Sequence, residues 1–276
     1  MTSEPEAQFE DKFVAFVDVL GFKSMIEAAE RGDGKTLAEI QEILDELGYL
    51  KDKDFIRSSG PKICPKSPYV AKNLSFEITQ VSDCMIASAE VSPAGIINLV
   101  AHCHGAAATL LNQGVMVRGY ITRGNIFHRG MRFMGTGYHE AYGREGNVEA
   151  FKIEADEKGT PFIEIDQRVT EYVENCDDWC TKEMYRRMVE SDGQTSAIFP
   201  FKSLSHSFSI GGLNAAKELQ ANNNMRLLIE NLKTSVMSHV AVGNQRAIVK
   251  TRHYVAALDR QLAICDRTDE IIRQFS

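Results

Sequence analysis

The sequence has few cysteines, no excess of positive charge and no long apolar run, and each shortage counts against a class of protein. Six irregularly spaced cysteines in 276 residues exclude a disulfide-stabilised scaffold. No apolar run approaches the roughly 20 residues that span a bilayer, and the acidic start MTSEPEAQFEDK is unlike a signal peptide. A net charge of −7 argues against a general nucleic-acid binder, because phosphate contacts need a concentrated basic surface. We therefore expect a cytoplasmic protein with no membrane and no nucleic-acid partner.

The remaining composition is that of an ordinary globular protein. Hydrophobic residues make up 43% of the chain and charged residues 25%, which is enough apolar surface for one good core. Strand and helix patterns follow the order β-α-α, β-β, α, β-β, α, β, and two long amphipathic patterns come after them. This order predicts an α+β protein with a ferredoxin-like βαββαβ core, in which helices cover one face of an antiparallel sheet. We divide the chain into a core at 1–195 and a C-terminal helical extension at 196–276.

Three local patterns predict where elements begin or turn. Ser92 followed by Pro93 is typical of a capped helix N-terminus. Two apolar strands meet in a hairpin at Ser82 and Asp83. The segment 52–73 contains glycine and three prolines, and this composition predicts a long loop.

Two acids stand where apolar strands end, namely Asp18 and Asp83. Taken singly, each has an ordinary explanation, because Asp is common as a helix N-cap and as a turn residue. In a ferredoxin-like sheet, however, the first strand and the hairpin are neighbours, so the two carboxylates would meet at one edge. Two such charges repel unless a cation neutralises them, and Mg²⁺ or Mn²⁺ binds carboxylate and phosphate oxygens. The pair therefore favours a metal site beside a phosphate-binding turn.

Several motifs in the same order resemble those of class III nucleotide cyclases. FVAFVDVLGF resembles their first metal-binding strand, SDCMI their second metal-binding hairpin, and VMVRGYITRGNIF their Arg-Gly strand. The likeness is greatest to the pyrimidine cyclases of bacterial anti-phage signalling, the Pycsar type, and covers roughly residues 13 to 170. The residues that carry this closer likeness are Arg118 to Gly124, Gly135, Ala141, Tyr142, Glu145 and Pro161.

The resemblance implies a function for each part of the pattern. Asp18 and Asp83 would bind two divalent ions, Mn²⁺ or Mg²⁺, and Arg118 would reach the triphosphate of the substrate. The β- and γ-phosphates would lie against the backbone of one turn, formed by Val19, Leu20, Gly21 and Phe22. The product would be a 3′,5′-cyclic monophosphate, made in the core by a homodimer whose active sites lie at the subunit interface.

Two departures from the purine cyclases bear on the substrate and on catalysis. The Lys/Asp pair that reads a purine is absent, and Thr79 or Gln80 and Arg132 stand near its places, which is permissive for UTP or CTP. The sequence GYHEAYGRE replaces the VNxAxR motif that supplies a transition-state arginine. Arg144 is the nearest replacement, and Arg123 is the fallback.

Three functions from different classes remain open at this point. The first is a pyrimidine nucleotide cyclase that makes a second messenger in anti-phage defence, with a purine cyclase as its variant. The second is an inactive cyclase-like domain that binds a nucleotide or a protein as a regulator. The third is a relative of the polymerase palm, which would need a basic groove and stacking positions that this acidic chain does not clearly offer.

Overall fold

A computed structural model gives the fold of residues 7–48, 74–209, 214–238 and 245–275. It is an α+β protein with a mixed sheet of eight strands and with helices at its C-terminus. The strands are β1 (Glu10–Val19), β2 (Phe76–Val81), β3 (Cys84–Glu90), β4 (Val117–Arg129), β5 (Arg132–Met134), β6 (Ile163–Ile165), β7 (Val189–Ser191) and β8 (Ser196–Ile198). The helices are α1 (Phe22–Glu30), α2 (Leu37–Gly48), α3 (Pro93–Asn112), α4 (Thr136–Glu145), α5 (Gln167–Glu174), α6 (Trp179–Met188), α7 (Ala215–Ser238) and α8 (Gln245–Gln274). The predicted long loop at 52–73 lies outside the described residues.

The sheet has the order β2-β3-β1-β4-β6-β8-β7, and β5 pairs with β4 outside this path. The first four strands pair antiparallel, and β1 lies between β3 and β4. The predicted fully antiparallel sheet differs from the structure at one place, because β6 runs parallel to β4. The chain returns from β4 through α4 before it enters β6, and a parallel pair requires such a crossover.

Both faces of β1 are covered, which explains why its sequence is almost continuously apolar. Phe13, Ala15 and Val17 belong to the main core, with residues of α2 and α3. Val14 and Phe16 face the other side, where a smaller cluster includes Ala141 of α4. The prediction that helices cover one face is therefore incomplete, since α4 lies on the opposite face from α3.

Two glycines allow α4 to lie very close to the sheet. A Cβ atom on Gly124 of β4 would lie 2.9 Å from the Cα atom of Gly137, and a Cβ atom on Gly137 would lie 3.0 Å from the carbonyl carbon of Gly124. Larger residues at either position would push the helix away from the strand. This approach sets how far side chains of α4 reach over the strand ends.

The predicted start of α3 is confirmed. Ser92 is the N-cap, its hydroxyl accepts a hydrogen bond of 3.0 Å from the backbone N–H of Gly95, and Pro93 is the first helical residue. The expectation that no segment is long and apolar enough to span a bilayer does not hold for α3, which could cross one by length and composition, but most of this helix is buried inside the protein, as expected for the central helix of a core.

The two long C-terminal helices are also confirmed, and they pack on a second, largely aromatic cluster. Tyr254 of α8 is 2% exposed, and its ring centroid lies 5.0 Å from that of Phe201 and 6.0 Å from that of Phe162. Its hydroxyl is hydrogen-bonded to the backbone of Val117 in β4. The predicted helical extension starts at residue 196, which is also the first residue of β8. Because β8 pairs with β6, the first residues of the predicted extension belong to the sheet.

Tyr254 tests whether α8 is an integral part of the fold. Tyr254→Ala should lower the free energy of unfolding by about 3–5 kcal/mol, because it removes a large buried ring and leaves a cavity. Tyr254→Phe removes only the hydroxyl and should cost about 1 kcal/mol. Urea unfolding followed by circular dichroism measures both. Equal stability of the alanine variant and the wild type would contradict this packing.

Candidate active site

The structure brings Asp18 and Asp83 together at one end of the sheet. Asp18 is the penultimate residue of β1 and pairs in register with Cys84 of β3 and with Arg118 of β4. Asp83 lies in the two-residue turn between β2 and β3. One ligand atom from each of Asp18, Asp83 and Cys84 lies within 4.8 Å of the others. All three side chains are partly exposed to solvent.

Local backbone geometry fixes the hairpin turn against β1. Ser82 has a φ of 54°, a left-handed conformation that a tight hairpin needs and that few residues adopt. The backbone N–H of Val19 donates a hydrogen bond of 3.1 Å to the carbonyl of Asp83. The turn and the end of β1 are thus joined directly, and their two carboxylates cannot separate without breaking this bond.

Around Asp18, carboxylates outnumber positively charged groups. The pKa of Asp18 is raised to about 6, mainly by burial and also by the nearby carboxylates of Glu145 and Asp83. The thiol of Cys84, whose Sγ lies 3.2 Å from Asp18 Oδ1, and the guanidinium of Arg118 act in the opposite direction. Burial and the nearby carboxylates raise the pKa of Cys84 as well, so its sulfur stays protonated and donates to Asp18.

The donor atoms fit a divalent cation. Two carboxylates in reach of one another supply the hard oxygen ligands that Mg²⁺ and Mn²⁺ bind, and a cation would offset the burial and the repulsion that raise the pKa of Asp18. A protonated thiol is a weak ligand, so Asp18 and Asp83 would hold the ion. Water or substrate oxygens would complete its coordination.

The turn after Asp18 offers fewer phosphate-binding groups than the sequence predicted. The N–H of Val19 is bonded to Asp83, and the N–H of Leu20 donates to the carbonyl of Met116 at 2.9 Å. Gly21 has a φ of 79° and is the N-cap of α1, which begins at Phe22. The first-turn N–H groups of a helix have no partner within it and attract anions. Phosphate contacts would therefore begin at Gly21 instead of Val19.

Arg118 lies beside this cluster and forms an ion pair with Glu145, the last residue of α4. The two side chains are only 16% and 11% exposed. On another side, the guanidinium lies against the backbone of Gly159, where a Cβ atom would lie 2.8 Å from Arg118 Nη1. Arg118 is therefore held in a defined position near Asp18.

The two candidate transition-state arginines make different contacts. Arg144 is exposed near the end of α4, and its Cζ lies 5.3 Å from the ring centroid of Tyr120. Arg123 forms a 2.7 Å ion pair with Asp11. It lies opposite Phe13, five positions from Asp18, which is about 17 Å along a strand. Within one subunit, Arg123 is thus remote from the two acids.

The residues predicted to line a base pocket differ in burial and in hydrogen bonding. Thr79 is buried; its hydroxyl donates to the carbonyl of Gly130 and lies 2.9 Å from His128 Nε2. Its hydrogen-bonding capacity is used inside the fold, which leaves little for a substrate. Arg132 is exposed at the β4–β5 turn, opposite Arg129. No base-reading pair is formed by Thr79 and Arg132 among the residues that the structure describes.

Sequence reasoning missed a polar network next to Tyr120. Asp166 caps α5 and accepts hydrogen bonds of 3.0 Å from the Nε and Nη2 atoms of Arg168. Burial opposes ionisation of Asp166, but the bonds from Arg168 prevail and lower its pKa. Thr122 joins through a 2.8 Å bond from Arg168. No sequence signal indicated that Asp166 and Arg168 meet Tyr120 and Thr122, because the two pairs are distant in the chain.

Comparison with known proteins adds no family assignment. No protein-family model matches the chain, and no curated protein matches it significantly.

The raised pKa of Asp18 predicts how stability depends on pH in metal-free protein. The folded state binds the proton more tightly than the unfolded state, so this stabilisation is present below pH 4 and is lost as the pH rises through about 6. Asp18→Asn removes the titrating carboxyl group, so the variant should not lose this stabilisation as the pH rises. At pH 7.5 it should be more stable than the wild type by roughly 1 kcal/mol, after allowance for partial exposure. Urea unfolding with EDTA at several pH values measures this. A difference between variant and wild type that is constant from pH 4 to 7.5 would contradict it.

Proposed function

We propose that this protein is a nucleotide cyclase that converts a pyrimidine nucleoside triphosphate to its 3′,5′-cyclic monophosphate and pyrophosphate. One observation carries the proposal: Asp18 and Asp83 lie together, directly before the N-terminus of α1 and beside Arg118. A site with two acids, an anion-binding helix end and an arginine suits a metal–triphosphate complex. The strand order β2-β3-β1-β4 is that of a ferredoxin-like sheet, which supports the class III cyclase core.

Each group would perform one part of the reaction. Divalent ions held by Asp18 and Asp83 would acidify the attacking hydroxyl and neutralise the leaving pyrophosphate. The N–H groups from Gly21 into α1 would bind the β- and γ-phosphates, and Arg118 would contact the triphosphate from β4. The ribose 3′-oxygen would then form a bond to the α-phosphorus in line with the bond that breaks to pyrophosphate. The hydroxyl proton would leave to solvent.

The transition-state arginine would come from a second subunit. Arg123 lies about five strand positions from Asp18, too far to reach the two acids of its own chain, and Arg144 is exposed to solvent, as an interface residue must be in a single subunit. A homodimer with shared sites supplies the missing cation, since a twofold axis brings the same surface of the partner to each site. The interface would then contain both active sites.

The choice of a pyrimidine rests on the lack of a purine-reading pair at Thr79 and Arg132, among the residues that the structure describes. A purine reader needs a donor and an acceptor for the base edge, and Thr79 is already bonded to Gly130 and His128. A pocket without those partners leaves ATP and GTP with unpaired polar groups, which can discriminate by orders of magnitude. The cyclic UMP or CMP formed would act as a second messenger in anti-phage defence.

Incubation with each of the four ribonucleoside triphosphates and Mn²⁺ tests the function. UTP or CTP should yield a cyclic monophosphate and pyrophosphate, with a higher kcat/KM than ATP or GTP. Asp18→Asn and Asp83→Asn should lower kcat by at least about 100-fold, because groups that stabilise transition-state charge contribute on that order. Product analysis by liquid chromatography and mass spectrometry measures both.

The same assay separates the alternatives. Equal or better use of ATP would indicate a purine cyclase. Binding of a triphosphate without turnover would indicate the regulator, and extension of a primer would indicate the polymerase relative. An Asp18→Asn protein with near wild-type turnover would refute the metal site. The Glu10→Gln variant, on the same strand but paired with Lys12 and with neither candidate arginine, is the matched control.

Shared active sites predict complementation between two inactive chains. Asp83→Ala and Arg144→Ala homodimers should each be inactive. In a random 1:1 mixture, half of the dimers are mixed and each has one intact site, so activity should return to about a quarter of the wild-type value. Absence of recovery, with mixed dimers demonstrated by mass spectrometry, would remove Arg144 from the site or refute the shared site.

A further inference from the structure

Arg118 lies near two carboxylates, those of Asp18 and Glu145. It forms its ion pair with Glu145 on α4 and not with Asp18, its neighbour in the sheet. Asp18 is its direct partner in the register of β1 and β4, where Cα atoms of opposite residues are about 4.5–5.5 Å apart. Both side chains project from the same side of the sheet as Phe16 and Tyr120, the side that α4 covers. Among the described residues, however, the ion pair of Arg118 is with Glu145 and not with Asp18.

The position of Glu145 is not explained by the stability of its helix. It is the last residue of α4, where the helix dipole disfavours a negative charge. It is also 8% exposed, and burial of a carboxylate is costly unless a cation compensates for it. The cation that compensates for the buried carboxylate of Glu145 is the guanidinium of Arg118. Gly124 and Gly137 let α4 approach the sheet closely enough for this pair to form.

We propose that Glu145 is a positioning residue that holds Arg118 away from Asp18 and so keeps Asp18 available to a divalent cation. The inference rests on the proposed metal site. Without Glu145, the guanidinium would turn to the carboxylate directly opposite and neutralise it. With Glu145, the guanidinium stays beside the site, against Gly159, where it can meet phosphate oxygens. One site can then accept a cation and an anion at once.

Mn²⁺ binding to the metal-free protein, measured by electron paramagnetic resonance, tests this without any need for turnover. Glu145→Leu should weaken Mn²⁺ binding by about tenfold or more, because Asp18 gains a competing cation at close range. Arg118→Met should leave the affinity undiminished. The double variant Glu145→Leu/Arg118→Met should return it to within about threefold of the wild type, since an apolar pair can replace a buried ion pair without loss of structure.

A second pair of variants guards against misfolding. Glu145→Gln keeps the volume of the side chain and removes its charge, so it should weaken Mn²⁺ binding less than leucine does. Glu145→Gln/Arg118→Met should again restore it. Circular dichroism and thermal unfolding identify whether the leucine variants or the glutamine variants are folded. The Mn²⁺ affinities of the folded variants decide the result.

The outcomes distinguish this inference from the proposed function. Affinity that stays low in the double variants, or that is unchanged in the single Glu145 variants, overturns the role of Glu145 even if the wild type is a cyclase. The expected pattern in a protein that cyclises no nucleotide supports the role of Glu145 and overturns the cyclase. A wild-type protein that binds no Mn²⁺ overturns both.

Discussion

The candidate site depends on the pairing of β1 along both of its edges. Because β3 and β4 pair antiparallel with β1, Asp18 has Cys84 on one side and Arg118 on the other. The β2–β3 hairpin must then turn beside Asp18, which places Asp83 next to it. A shift of one residue would turn Asp18 toward the main core and Val17 toward the site. Such a shift is disfavoured because it would bury the carboxylate of Asp18 in the apolar main core.

Charge at the site follows from this register and from one close helix contact. Three carboxylates and one guanidinium lie near each other, and the guanidinium is paired with the carboxylate of α4. A helix farther from the sheet could not supply that carboxylate. The small size of Gly124 and Gly137 is therefore a condition for the electrostatics of Asp18, although neither glycine is near it in the chain.

The C-terminal helices contact the segment that also supports Arg118. His253 of α8 is buried, and its Nε2 lies 2.7 Å from a carboxylate oxygen of Glu157. Its Nδ1 lies 3.1 Å from the carbonyl of Phe151. Two residues beyond Glu157, Gly159 lies against the guanidinium of Arg118. The helical extension and the site thus share one connecting segment, between α4 and β6, which gives the extension a physical contact with the site.

The sequence by itself determined the elements whose physics is local. The capped start of α3, the hairpin at Ser82 and Asp83, and the long C-terminal helices follow from capping, turn chemistry and periodicity, and all are present. Only the tertiary structure decided that β6 pairs parallel with β4 and that α4 covers the second face of the sheet. It also decided that Arg118 pairs with Glu145 and that the N–H groups of Val19 and Leu20 bond to backbone carbonyls. These depend on contacts between segments far apart in the chain, and a single sequence carries no local signal for which segments meet.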